Sequence, residues 1–221
     1  MTTKLVPRAR KERKSVSVIV PCSHKHVRLL PALIEHLGAQ TRKADEIVVA
    51  VSGCAAAPAA LAGVRILHSS APQTCGHNRN HASEVAVGDV LIYQDADDLP
   101  HPQRVEIIAG LFETYEIEHL MHHYFYKTSE PRTFTLEEAV VCSAYYAEPK
   151  LGSSPKVGAD SGVTNGNVAI ARTVFQAVRW PSSFGIGTDQ TFNRAVYARF
   201  TRTAVTQLPL LTYRHDLSSF R

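Results

Sequence analysis

The sequence predicts an α/β protein with a Rossmann-like, mostly parallel central sheet flanked by helices and a smaller antiparallel β element in the C-terminal half. Three observations carry that prediction. Through the first hundred residues, short β-favouring runs alternate with segments of helical apolar spacing, and strands joined through helices imply right-handed crossovers. One of these runs, Val90-Leu91-Ile92-Tyr93, leads into three carboxylates within four positions, Asp95, Asp97 and Asp98. Acid then lies at the carboxyl end of a strand, where open α/β sheets gather their ligands. Finally, 221 residues with 44% hydrophobic and 20% charged content suit one sizeable core rather than two.

Taken in order, Ser15–Pro21 reads as a strand and Val27–Gly38 as a helix, with Val27, Leu30, Leu33, Ile34 and Leu37 on one face. Glu46–Val51 and Val64–Leu67 are the next strands, Thr74–Val87 a helix, and Val90–Asp95 the fourth strand, opened by Gly88-Asp89. His101–Tyr115 is helical, with Val105, Ile108, Leu111 and Phe112 aligned. Beyond it His119–Lys127 and Arg132–Ala147 read as strands broken by Ser129-Glu130-Pro131, and Lys150–Gly162 as a loop.

Charge is unevenly spread. Residues 1–14 hold six basic residues against Glu12, a net +5, so the rest carries −1 of the overall +4. We expect a basic flexible tail over 1–14 and a single domain over 15–221, the tail offering at most a weak membrane-surface contact. No aromatic residue is interleaved with those charges, which argues against nucleic acid as a partner. No apolar stretch approaches the ~20 residues of a membrane span, and the tail lacks the apolar core of a secretory signal. Cys22, Cys54, Cys75 and Cys142 show no paired metal spacing and fit reduced thiols in a cytoplasmic protein, peripheral to a membrane at most. The pairs His24/His26 and His122/His123 lack the i, i+4 spacing of a helical zinc site.

Two readings fit the acidic turn. Asp95 and Asp97 repel one another unless a cation, hydrogen bonds or a raised pKa relieves them, and hard oxygen donors suit Mg²⁺ or Mn²⁺ better than zinc. Alternatively, the turn is solvated, with Asp98 capping a helix that begins near His101-Pro102.

Several motifs share one order: Ser15-Val-Ser-Val-Ile-Val-Pro21, Glu46-Ile-Val-Val, Gly76-His-Asn-Arg-Asn80, the segment Gly88–Asp98, Gly166-Asn-Val-Ala-Ile170 and Gly187-Thr-Asp-Gln190. Together they resemble the family 2 glycosyltransferases over about residues 15–215. The resemblance implies the GT-A fold, a divalent Mn²⁺ or Mg²⁺, a nucleoside-diphosphate sugar donor with UDP favoured, inversion at the anomeric carbon and a glycan or other hydroxyl acceptor. It makes residues 15–98 the nucleotide-binding half and 99–221 the acceptor-binding half.

Residue by residue, the resemblance assigns Asp95 and Asp97 to the aspartate-x-aspartate motif, with Asp95 near the donor and Asp97 on the metal. Asp189 takes the place of the catalytic base, a role that suits a carboxylate receiving the acceptor's proton, although it is equally an acid favoured by a helix N-terminus. Arg79 and Asn80 match a pair that shapes the donor site, where the guanidinium would meet phosphate or Asp95. His215 would be a further metal ligand, Arg214 would face the diphosphate, and Gly166-Asn167 would lie beside donor sugar and acceptor. Pro21 matches the end of the first strand. Departures occur at Ser52, which would offer the nucleotide base a weaker hydrogen bond where the family often has an aspartate, at Thr188, which replaces a glutamate, and at Cys22-Ser23. Trp180 reads as core or as a stacking platform for an acceptor sugar. Two other functions share these features: a nucleotide-sugar binder without transfer, and a haloacid-dehalogenase-like phosphatase, against which Leu99 and the mid-chain position of the motif argue.

Overall fold

The computed structural model describes residues 5–125, 132–139, 141–143, 167–183, 188–214 and 217. Its centre is β1 (Val16–Ser23), parallel to β2 (Glu46–Ser52) on one side and to β4 (Val90–Tyr93) on the other, with β3 (Val64–Ser69) parallel outside β2. These strands are apolar on both faces because both are covered. From β1 and β4, Val18, Val20, Val90 and Ile92 face one core with α1 (Leu30–Gly38) and α3 (Arg104–Thr114), while Ile19, Leu91 and Tyr93 face another. That second core holds Ala82 of α2 (Cys75–Val85), Val174 and Phe175 of α4 (Arg172–Ala177) and Phe192 and Val196 of α5 (Thr188–Tyr197).

The antiparallel part continues the same sheet. β8 (Val168–Ala171) runs antiparallel to both β4 and β6 (His119–Phe125), and β9 (Thr203–Thr212) lies parallel to β6. β5 (Leu99–Pro100) and β7 (Val141–Ser143) pair antiparallel with β9, giving the order β3-β2-β1-β4-β8-β6-β9-β5 with β7 also on β9. The expected parallel and antiparallel parts are therefore one surface, joined where Leu91 faces Ile170.

Two expectations change. Arg132–Ala147 is not one strand: residues 132–139 form a turn-rich loop, and among the described residues of this stretch Val141–Ser143 are the ones that pair. Within that loop Phe134 is held by Gln103, whose carboxamide accepts from its N–H at 2.6 Å and donates to its carbonyl at 2.9 Å, taking the place of a neighbouring strand. Nor is the basic arm loose throughout. Arg8 Nε donates to the carbonyls of Phe112 (2.9 Å) and Tyr115 (3.1 Å), at the end of α3 where orphan carbonyls and the helix dipole attract a cation. Arg42 Nη2 donates to the Lys14 carbonyl at 2.7 Å, so residues 5–14 run against the domain.

Candidate active site

The carboxyl ends of β1, β2 and β4 and the first turn of α2 meet on one edge of the sheet. β4 extends one rung through the Gln94 N–H to the Ile19 carbonyl at 2.9 Å, and the chain then turns, Asp98 N–H donating to Asp95 O at 3.3 Å. Gln94 is buried beneath this turn, its Nε2 donating to the carbonyls of Asp95 (2.9 Å) and Asp98 (3.2 Å). Arg104 Nη1 in turn donates to Gln94 Oε1 at 3.0 Å, and its Nη2 to the Tyr93 carbonyl at 2.8 Å. Burial draws the Arg104 pKa down to about 9. The backbone under the acidic turn is thus held by side chains, and it cannot be a freely solvated loop. Neither Gln94 nor Arg104 was singled out from the sequence; the available signal was an arginine beside the apolar stripe of α3.

Asp95 pairs with Arg79 Nη2, one of the two partners expected for that guanidinium. Arg79 is 0% exposed, lies 4.7 Å over the Trp180 ring, and has Nε and Nη1 without partners. Asp97 remains partly accessible, and its pKa is pushed up to about 6, first by burial and then by the neighbouring Asp95. Asp98 does not cap α3, which Gln103 precedes; its Oδ1 accepts the Arg214 N–H at 3.0 Å. Burial, with Asp95 next, pushes Asp98 up to about 8, and its Oδ2 is buried without a partner. Arg214 also donates from Nε to the Asp97 carbonyl at 2.6 Å, and among the described residues its Nη groups have no partner.

The expected nucleotide residues divide. Pro21 and Ser52 end β1 and β2 side by side, but the Ser52 oxygen accepts from Asn78 Nδ2 (2.9 Å) and Gln73 N–H (3.3 Å), spending its acceptor capacity inside the fold. Asn80 is a clamp rather than an open donor-site group: its carboxamide donates to the Trp180 carbonyl and accepts the Trp180 N–H, both at 2.9 Å. Asn167 is fully buried with neither carboxamide atom partnered. Gly166 and His215 lie outside the described residues, as does the whole of the expected 150–162 loop.

Asp189 sits in the first turn of α5, where an acid complements the helix dipole. It makes no hydrogen bond or ion pair with the described residues. One turn on, Phe192 stacks on Trp180 with centroids 3.8 Å apart and planes 9° off parallel, and Trp180 meets Tyr93 edge-on at 4.8 Å. An aromatic column therefore ties the start of α5 to the end of β4. This role also corrects the reading of Trp180 as a sugar platform, because the indole is buried.

His26, not singled out from the sequence as a site residue, stands with its Nε2 3.9 Å from Asp97 Oδ2 and 3.2 Å from the Leu217 carbonyl. Among the described residues no three His, Cys, Asp or Glu side chains converge as a preformed metal cage. Two hard carboxylates, one with a raised pKa, nevertheless suit an Mg²⁺-like ion, which ordinarily completes its shell with substrate phosphates and water. Asp97, with Asp95 beside it, would hold such an ion.

A family model described as Glycosyl transferase family 2 matches residues 17–197. The chain belongs to this family. Among solved structures, Staphylococcus aureus TarS 1-349 in complex with UDP is similar at 16% identity and TM-score 0.67, over 90% of this chain and 60% of that one. Mycobacterium tuberculosis glucosyl-3-phosphoglycerate synthase in complex with Mn²⁺, UDP and phosphoglyceric acid is similar at 19% identity and TM-score 0.65, over 91% of this chain and 71% of that one. This family 2 chain thus has the GT-A fold, and it spans about 60% of the TarS 1-349 structures it matches. Comparison with curated proteins finds no match. Among the described residues no helix is long and apolar enough to cross a membrane.

Proposed function

We propose that this chain is a metal-dependent inverting glycosyltransferase that moves a sugar from a nucleoside-diphosphate sugar, UDP-sugar favoured, to a hydroxyl of a glycan. The observation that carries the proposal is the buttressed Asp95–Asp98 turn, which presents Asp97 beside the Arg214 guanidinium at the carboxyl edge of the sheet. An anionic pair next to a cation whose Nη groups are unengaged among the described residues is suited to a metal-bound diphosphate. TarS and the mycobacterial synthase support the donor class through the UDP in their structures.

In this reading Asp97 binds Mn²⁺ or Mg²⁺, Asp95 is oriented by Arg79, and Arg214 contacts the diphosphate. The bound ion supplies stabilisation of the negative charge that gathers on the leaving nucleoside diphosphate. Asp189, unengaged by the described residues, accepts the proton of the attacking hydroxyl on the face opposite the leaving group. Asn167, with both polar ends open, hydrogen-bonds sugar hydroxyls, and its unmatched burial is then relieved by ligand. On the family resemblance His215 would add a ligand to that ion and Gly166 would lie beside the donor sugar. A phosphatase role is set aside by the family match.

Calorimetry with UDP, GDP, dTDP and CDP, each with Mn²⁺ or EDTA, tests the donor site. Metal-dependent binding of one nucleotide, lost in Asp97→Ala, is expected. Asp189→Asn should keep that binding and lose at least ~10²-fold in transfer rate, the scale of a general base. Unchanged transfer would remove Asp189 from the mechanism, and binding without product from any acceptor would leave a nucleotide-sugar binder.

A further inference from the structure

We propose that His26 is a positioning residue: it clasps the C-terminal segment across the metal-binding turn and so holds Arg214 over the donor diphosphate. The inference rests on the donor-site reading above for its functional consequence, but its structural part stands alone. Because a carbonyl only accepts, the Nε2 that lies 3.2 Å from the Leu217 carbonyl is the protonated nitrogen of the ring. The same Nε2 is 3.9 Å from Asp97 Oδ2, so one imidazole lies between the Asp97 carboxylate and the Leu217 backbone. Its backbone is fixed independently: the His26 N–H donates to Ser23 O at 3.0 Å, closing the turn after β1, and its carbonyl accepts from Leu29 at 2.8 Å.

The C-terminal segment is held at its other side by the acidic turn. The Arg214 N–H donates to Asp98 Oδ1 and Arg214 Nε to the Asp97 carbonyl, while Leu217 N–H donates to the Arg214 carbonyl at 3.0 Å. Just upstream, the Tyr213 ring lies 5.5 Å from that of Tyr124 on β6. Anchors at 214 and 217 therefore flank positions 215 and 216 in the sequence. Residues 191 apart in the chain are joined at this point, and the His26 ring makes the β1 side of the connection. The Leu217 N–H on the Arg214 carbonyl couples the two residues directly, so the His26 contact adds a second point of attachment beside those Arg214 makes to the acidic turn. Preorganising Arg214 in this way raises diphosphate affinity by removing an ordering cost from binding.

The test uses the full chain with His26→Ala and His26→Gln, since glutamine retains an N–H donor. Tryptic cleavage after Arg214 is followed by mass in the ligand-free protein, and Mn²⁺-UDP binding is measured by calorimetry. His26→Ala should be cut about five- to tenfold faster and bind Mn²⁺-UDP weaker by a similar factor, the range of one hydrogen bond. His26→Gln should stay within about twofold of wild type in both assays, the rescue expected of a donor replaced by a donor. Unchanged cleavage in His26→Ala, or a glutamine variant as impaired as the alanine one, would overturn the clasp. If the wild-type protein binds no nucleotide, the donor-site reading fails by itself, and the cleavage rates still decide the clasp.

Discussion

Replacing Gly76 with alanine is the sharpest test of how the site is assembled, because two physical effects of opposite sign meet there. Gly76 lies in the first turn of α2, where alanine improves helix propensity by up to about 1 kcal/mol. A Cβ built at this position, however, would stand 1.9 Å from the Pro181 carbonyl oxygen and 2.9 Å from its carbonyl carbon. Both obstacles are backbone atoms, so no side-chain rotation relieves them. The helix and the 180–181 segment must separate by more than an ångström, against the two Asn80 hydrogen bonds that clamp Trp180. Overpacking costs about 1–3 kcal/mol and each stretched bond roughly another 1. Strain wins, with a net loss of about 2–4 kcal/mol and a fall in Tm of about 5–15 °C for a chain of this size. Trp180 is the only tryptophan, so its emission reports the displaced stack with Phe192 directly. Gly38→Ala is the control, since nothing lies within 4 Å of the Cβ it would add. A Gly76→Ala protein as stable as the Gly38→Ala control, with unchanged emission, would refute the close approach.

Asp97→Asn should stabilise the metal-free protein. The native carboxyl, raised to about 6 from 3.8, binds its proton more tightly than the unfolded chain does. That contribution is fully present below pH ~4 and is lost as pH rises to ~6, so the variant gains up to about 3 kcal/mol at pH 7.5 and little at pH 4. Urea unfolding in EDTA at both values measures it; equal differences at the two would show that Asp97 is not desolvated. Arg79→Met should cost about 3 kcal/mol by leaving Asp95 without its cation and Trp180 without its covering guanidinium. Combining it with Asp95→Asn should recover part of that loss, and strict additivity in the double-mutant cycle would deny the pairing.

Much of the fold was legible in the chain. The four parallel strands, the helices between them and the placement of Asp95 and Asp97 at the end of β4 follow from period, composition and turn residues, all of which act over a few positions. Arg132–Ala147 misled because a β-favouring composition marks a surface that wants covering, and Gln103 with His101 covers Phe134 without a strand. The motif order likewise singled out Arg79, Asn80 and Asp189, without saying what each side chain would touch.

The sequence by itself determined the α/β class, the acidic turn and the family, because short-range patterns and motif order suffice for these. Only the tertiary structure decided that Arg79 belongs to Asp95, that Asn80 clamps Trp180, that Asp98 receives the Arg214 N–H and that His26 reaches Leu217. Apart from the first, these pairs join residues 100, 116 and 191 positions apart. A hydrogen bond is decided within a few tenths of an ångström, and that distance is set by how two packed layers settle against one sheet, which no local pattern encodes.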